Sequence, residues 1–283
     1  MASTQSAQAS PQALLQTSPQ ASPVGLQIRD WRRRRRLSQL DLALDAGVSQ
    51  RHLSFVESGR ASPSRDMVLH LAEALDVPLR ERNALLLAAG FAPRYAERPL
   101  TDPALAAART VVDAILRAHE PHPALAVDRH WRMVAANAAV PSLLAGVAEP
   151  ALLRPPVNVL RLSLHPQGLA PAIANLPEWR AHVLHRLKRQ AQVSRDPVLA
   201  ALLEELTALG PEGAKHDGAG TGEGIAIPLE LDTPEGRLSL ISTTTLFGTP
   251  VEVTLSELAI EAFYPADEAS AERLRRMARV PTG

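Results

Sequence analysis

The chain has 283 residues, with 30 Lys plus Arg balanced by 30 Asp plus Glu and no cysteine. That length holds about two domains. The missing cysteines exclude a disulfide framework, a thiolate metal site and cysteine nucleophilic chemistry, and they suit a reducing cytoplasm. No apolar run approaches the roughly 18 residues of a membrane-spanning helix, so a soluble protein with no membrane insertion is expected. The zero net charge hides an asymmetry: residues 24–100 carry 13 arginines against 9 acids, and the remainder carries 17 basic residues against 21 acids. One DNA-facing domain followed by one that avoids DNA fits this division.

Residues 1–23 are rich in Ser, Gln, Ala and Pro and lack the basic start and apolar core of a signal peptide. They read as a disordered tail. A first helix is expected from about Leu26 to Arg36, with Leu26, Ile28, Trp31 and Leu37 as apolar contacts. The five arginines Arg32 to Arg36 wrap around such a helix and cannot all serve one surface. They form either a solvated, partly structural cluster or a set of which some meet phosphates, with the counterion release that such contacts bring.

Gln39 to Ser58 has the pattern of a helix-turn-helix. Leu42, Ala43 and Ala46 share one face of a short helix, and Leu53 and Val56 share one face of the next. Ala43 is small where the second helix crosses. Gly47 stands where the chain needs a left-handed turn, Val48 fills the corner, and Ser49 takes the N-cap. An ordinary helical hairpin shares the spacing and the glycine, but not all these agreeing positions. Gln50, Arg51, His52, Ser54 and Phe55 then face outward, where they can reach base edges in a major groove. Ser38 caps the preceding helix and aims free N–H groups at a phosphate, with Gln39 adding a side-chain donor. Arg60 follows the reading helix. Ser64 caps a fourth helix carrying Val68, Leu71, Ala72 and Leu75, and a fifth runs from Leu79 to Ala89 before Gly90. His70 reads as a surface or packed residue.

Leu37 to Ser62, within this five-helix context, resembles the lambda-repressor-like, XRE-type regulators. The resemblance implies a double-stranded DNA operator as partner, phosphate contacts from Gln39 and the Arg60 region, and base reading by Gln50, Arg51 and Phe55. It also implies a partly buried pair between Arg32 and Glu57, and homodimers on half-sites about 34 Å apart. Phe55 departs from the polar residue many relatives carry; it contacts a thymine methyl or packs.

Residues 101–280 read as a mixed α+β domain. Pro103 to His119 is expected as a connecting helix, with Leu105, Ala108, Val112, Ile115 and Leu116 on an apolar face able to carry dimer contacts. Ala124 to Val127 and Trp131 to Ala135 read as strands around a turn at Asp128-Arg129-His130, and a short helix begins at Asn137. Ala170 to Gln190 and Pro197 to Leu209 are expected as helices, and Pro211 to Gly224 as a mobile loop. Strands over Ile225 to Leu231 and Arg237 to Phe247 flank a hairpin turn. A third strand from about Glu257 to Tyr264 and a helix from Glu268 to Met277 close the chain. Two strands, helices, then three strands is the order of a PAS-like fold, an antiparallel sheet with helices over one face.

The details resemble the MmyB-like ligand-binding domain. They are Pro123-Ala124-Leu125, Asp128-Arg129-His130-Trp131, Asn137, Asn158-Val159-Leu160-Arg161-Leu162, Trp179, Phe247-Gly248-Thr249 and Phe263-Tyr264-Pro265. Ala136 stands where relatives often carry tryptophan, which would reshape a pocket. The resemblance implies an effector domain for a small apolar molecule such as a fatty acid. Trp131, Met133, Leu160, Trp179, Leu240 and Thr243 are the expected lining, with ordinary core packing as the alternative for each. Asn137 and Arg161 are the expected polar groups, or else ties between backbone segments.

No cofactor, metal or catalytic group is expected. His119 with His122 and His182 with His185 have ligand-like spacing but no third ligand in register. The glycines from Gly218 to Gly224 lack the strand and helix that a phosphate loop needs. The leading expectation is a DNA-binding regulator whose second domain senses a ligand. A second domain serving only dimerisation, or a DNA-tethered hydrolase, are the alternatives.

Overall fold

The computed structural model describes residues 23–210, 227–248, 250 and 252–279. The expected tail over 1–22 and the expected loop at 211–224 lie outside them. The chain divides into two compact units between Ala96 and Glu97.

The first unit is five helices: α1 (Pro23–Arg34), α2 (Gln39–Asp45), α3 (Gln50–Glu57), α4 (Arg65–Ala74) and α5 (Leu79–Ala88). In α1, Val24, Ile28, Trp31 and Arg32 are buried, a stripe at helical spacing. Leu26 is 49% exposed and faces away from that stripe, contrary to its expected apolar contact. Pro23, assigned by sequence to the tail, opens the helix where its missing N–H is not needed. Hydroxyl caps start three of the helices: Ser38, Ser49 and Ser64 accept from the backbone N–H of Asp41, His52 and Met67. Asp41 returns a bond from its carboxylate to the Ser38 N–H, completing a capping box. Gly47 turns between α2 and α3 with φ +59°, which a side chain would oppose. Leu42, Ala43, Leu53, Val56, Val68 and Leu86 fill the core they enclose.

The second unit holds one antiparallel sheet in the order β2-β1-β5-β4-β3. Its strands are β1 (Ala124–Val127), β2 (Met133–Ala136), β3 (Leu229–Thr233), β4 (Gly236–Leu246) and β5 (Ala259–Pro265). Its helices are α6 (Ala106–Ala118), α7 (Val140–Leu144), α8 (Val159–Leu164), α9 (Leu176–Ser194), α10 (Pro197–Ala208), α11 (Val253–Ser256) and α12 (Glu268–Met277). The expected helix at Ala170 is a short 3-10 turn, and α9 starts only after it.

Register decides which side each strand residue serves. Leu125, Thr244 and Glu261 stand abreast, as do Ser242 and Phe263, and this side meets α7, α8 and α9. Ala124, Thr243 and Ala262 share the opposite side. There α6 seats Val112 and Leu116 against Ala124, Ala126, Ile260 and Ala262. Helices therefore cover both sheet faces, not the one expected, because α6 returns across the strands it precedes.

Asn137 is 5% exposed and joins three segments. Its side-chain oxygen accepts from the Ala124 N–H at 3.1 Å, and its amide donates to the carbonyls of Leu116 and His122 at 3.1 and 2.7 Å. Each buried polar group left unpaired costs about 1–3 kcal/mol. Asn137→Ala is therefore expected to destabilise the second unit by roughly 3 kcal/mol, read as an earlier unfolding transition in urea while operator binding at low denaturant is kept.

Candidate functional sites

Capping and packing of α3 set the DNA-facing candidates. Gln50 and Arg51 are exposed in its first turn; His52, Ser54 and Phe55 are half-buried. The Arg51 guanidinium lies over the Phe55 ring at 5.4 Å, so Phe55 supports the arginine from behind. Ser49 uses its oxygen in the cap, and Arg60 is exposed just beyond the helix.

A buried ion pair holds α3 to α1. Arg32 Nε and Nη2 donate to the two Glu57 carboxylate oxygens at 2.7 and 2.8 Å, and Arg32 Nη1 donates to the Leu37 carbonyl. The hydrogen bond that Arg32 donates to Glu57 raises the Arg32 pKa above its ordinary value against the opposing effect of burial. Gln39 Nε2 also donates to Glu57 at 2.8 Å. Its amide is thus tied to the α1–α3 clamp, and one N–H remains for a phosphate.

The arginine run divides by role. Arg32 is the clamp; Arg34 pairs with Asp30 one turn away. Arg35 donates to the Leu75 and Asp76 carbonyls at 2.9 and 2.6 Å, closing the end of α4. Arg33 and Arg36 are exposed and have no ion-pair partner among the described residues. Sequence reasoning singled out neither, because five identical residues carry no signal of which face each takes. His70, expected at the surface or packed, has Nε2 2.6 Å from the Ala46 carbonyl.

In the second unit a largely apolar cavity of about 110 Å³ lies between the sheet and the helices. Trp131, Met133, Leu160 and Trp179, singled out from sequence, line it. The other four expected positions lie elsewhere. Asn137 is spent on backbone bonds. Arg161 makes a two-pronged pair with Glu205, Nε to Oε1 at 2.5 Å and Nη2 to Oε2 at 2.6 Å, on side chains about two-fifths exposed. Leu240 is fully buried in the core beyond the cavity. Thr243 points to the opposite sheet face, so its neighbour Ser242 takes the lining position.

Trp131 is held in an unusual backbone state, φ +63°, where bulky residues are rarely found. Its surroundings fix it there. Asp128 Oδ1 accepts from the N–H groups of His130 and Arg132, forming the turn. His130 Nε2 contacts Asp196 at 2.8 Å. The Trp131 indole N–H donates to Gln190 Oε1 at 2.7 Å, and Gln190 donates back to the Arg129 carbonyl at 3.0 Å. The Asp-Arg-His-Trp sequence thus anchors a cavity residue to α9 and to the start of α10.

Sequence reasoning missed the cavity's polar wall. Arg186 Nη1 and Nη2 donate to Glu261 at 3.1 and 2.7 Å, and Nη2 also donates to Thr244 Oγ1 at 2.6 Å. The same guanidinium lies 4.5 Å from the Trp131 ring centre. His182 stacks on Trp179 with ring centres 5.7 Å apart. Burial, followed by the charges of Arg186 and His185, pushes its pKa below the ordinary histidine value, which favours the neutral ring. Two signals pointed here: Arg186 falls two turns after Trp179 on one helix face, and Glu261 interrupts an otherwise apolar strand.

The first histidine pair is engaged structurally. His119 Nε2 lies 2.9 Å from the Phe263 carbonyl, and its ring packs edge-on to His122 and Tyr264. Among the described residues, no three His, Cys, Asp or Glu side chains converge as metal ligands, and no helix is long and apolar enough to cross a membrane.

Residues 28–82 match a helix-turn-helix family model, and residues 108–277 match the MmyB-like transcription regulator ligand binding domain. No curated protein matches the chain. The second match covers more than half the sequence and contains the cavity, while the first contains the capped α2–α3 pair and its clamp. The chain belongs to the MmyB-like family of transcription regulators, pairing an XRE-type helix-turn-helix for DNA with a ligand-binding domain.

Proposed function

We propose that occupancy of the cavity by a small, mainly apolar effector controls how the helix-turn-helix engages its operator. The observation that carries this reading is the cavity itself: two tryptophans, Met133, Leu160 and Phe263 around a hollow with a single charged wall at Arg186 and Glu261. Aromatic and aliphatic linings with a few placed polar groups are the usual make-up of small-molecule sites. About 110 Å³ approaches the roughly 150 Å³ at which an engineered apolar cavity binds benzene. A short chain or ring fits as the site stands. A fatty acid of greater length enters by displacing Leu143 and Leu144 on the short helix α7, and such a displacement is the differential contact that effector control requires. The binding reading is preferred to a hydrolase because Asn137, His119 and Asp196 are committed to structural bonds.

The regulator is proposed to act in the cytoplasm as a homodimer, with Gln39, Ser49, Gln50, Arg51, His52, Ser54, Phe55 and Arg60 at the DNA. Val111 and Ile115, 49% and 39% exposed on α6, favour pairing of two chains there. Native mass spectrometry of the purified full chain, followed by solvent extraction, tests the effector reading. Wild-type protein is expected to carry or take up one small apolar molecule per chain. Val183→Trp, which fills the cavity, is expected to abolish uptake with operator binding retained. Equal uptake by both proteins would place the ligand elsewhere.

A further inference from the structure

All five helices of the first unit close in the same way. After α1 to α5 the N–H groups of Arg36, Gly47, Gly59, Asp76 and Gly90 donate back to the carbonyls of Arg33, Leu44, Val56, Glu73 and Leu87, and the next N–H reaches one residue further back, to Arg32, Ala43, Phe55, Ala72 and Leu86. This closure puts the turning residue in the left-handed region, with φ between +49° and +82°. Glycine meets that demand after α2, α3 and α5, because it has no Cβ to oppose it. Asp76 is of the short polar kind that visits the region, and its carbonyl and carboxylate both accept from Arg35. Arg36, at φ +59°, is the exception. Nothing among the described residues offsets its cost: Arg36 is exposed, and its guanidinium has no ion-pair or hydrogen-bond partner there.

Its place is fixed all the same. The neighbouring Leu37 carbonyl accepts from Arg32 Nη1 at 2.9 Å, the same guanidinium that grips Glu57 at the end of α3, and Gln39, three residues on, donates to Glu57 too. The turn carrying Arg36 is thus tied to the base-reading helix. We infer that Arg36 grips a backbone phosphate of the operator, and that the first unit gives up stability at this turn to place it there. This rests on α3 being the helix that reads the groove. A guanidinium suits a phosphodiester, whose free oxygens it meets with parallel charge-assisted hydrogen bonds. Phosphates are alike in every sequence, so the contact adds affinity and register without choosing bases. Arg33 is exposed too, but it lies within α1 at an ordinary helical φ, where exposure alone accounts for it.

Arg36→Gly in the full chain separates the two roles, because folding and binding should move in opposite directions. Its urea midpoint is expected to rise, since glycine relieves the turn. Its operator affinity is expected to fall about three- to tenfold at roughly 0.1 M salt, with the slope of log affinity against log salt shallower by about 0.9, the signature of one lost phosphate contact. Scrambled DNA should weaken by the same factor. Arg36→Lys, which keeps the charge, is expected to keep the slope and gain no stability. Unchanged affinity and slope in Arg36→Gly would overturn the phosphate assignment, and so would a loss on the operator alone; a midpoint that does not rise would overturn the cost to folding. Gln50→Ala with Arg51→Ala tests the underlying reading in the same assay. If that pair loses operator preference while Arg36→Gly binds as wild type does, α3 remains the reader and the Arg36 contact falls. If the pair keeps its preference while Arg36→Gly loses slope, the phosphate contact stands and the assigned reader falls.

Discussion

Replacing Glu57 with alanine is expected to lower the stability of the DNA-binding unit by about 3–5 kcal/mol, the cost of breaking a buried ion pair by removing one partner. Glu57 is 3% exposed and Arg32 8%. Without the carboxylate, Arg32 keeps its charge and its burial but retains only the Leu37 carbonyl as acceptor. Gln39 loses its partner too. A small domain is stable by about 5–15 kcal/mol in total, so the variant should unfold at a clearly lower urea concentration. Glu57→Gln keeps an acceptor and should lose less. Urea unfolding followed by circular dichroism measures both. A loss under about 1 kcal/mol for the alanine variant would mean that the clamp is exchangeable with water.

The second large effect lies in recognition. Gln50→Ala with Arg51→Ala alters two exposed side chains in the first turn of α3 and touches neither the cap at Ser49 nor the core at Leu53 and Val56. Folding should be unchanged. Each good base contact contributes about 1–3 kcal/mol of discrimination, so the pair is expected to cost about 2–6 kcal/mol on the preferred operator. Residual affinity should remain, steeply dependent on salt, because the exposed Arg33, Arg36 and Arg60 are unaltered and stay available to phosphates. Competitive binding to operator and scrambled DNA across a salt series reads both quantities. An undiminished operator preference would move base reading off these two residues.

The first unit was readable in sequence because local chemistry decides it. Ser38, Ser49 and Ser64 cap helices within their own first turns, Gly47 answers a local backbone demand, and the apolar spacing of α2 and α3 repeats at short range. The arginine run was the exception, since its roles depend on partners 25 to 41 residues away, at Glu57 and at Leu75 and Asp76. In the second unit the strands were legible as elements. Register was not, and one residue of register moves a side chain to the other face: Thr243 was chosen where Ser242 lines the cavity. Asn137 and Arg161 look alike in sequence as lone polar groups among apolar neighbours. Only tertiary contacts separate a buried backbone tie from a surface ion pair with Glu205. The Arg186–Glu261 wall joins residues 75 apart and left only a weak local trace.

The central claim is that the cavity in the second unit controls the affinity of the first for DNA. It is tested by selecting an operator with the full chain, then measuring operator affinity by fluorescence anisotropy with and without saturating octanoate, a short-chain fatty acid, in wild-type protein and in Val183→Trp. Coupling between sites commonly amounts to about 1–3 kcal/mol, or 5- to 150-fold. A shift of that size in either direction, absent from the cavity-filled variant, is the predicted result; operator affinity unchanged by ligand shown to occupy the cavity would contradict it.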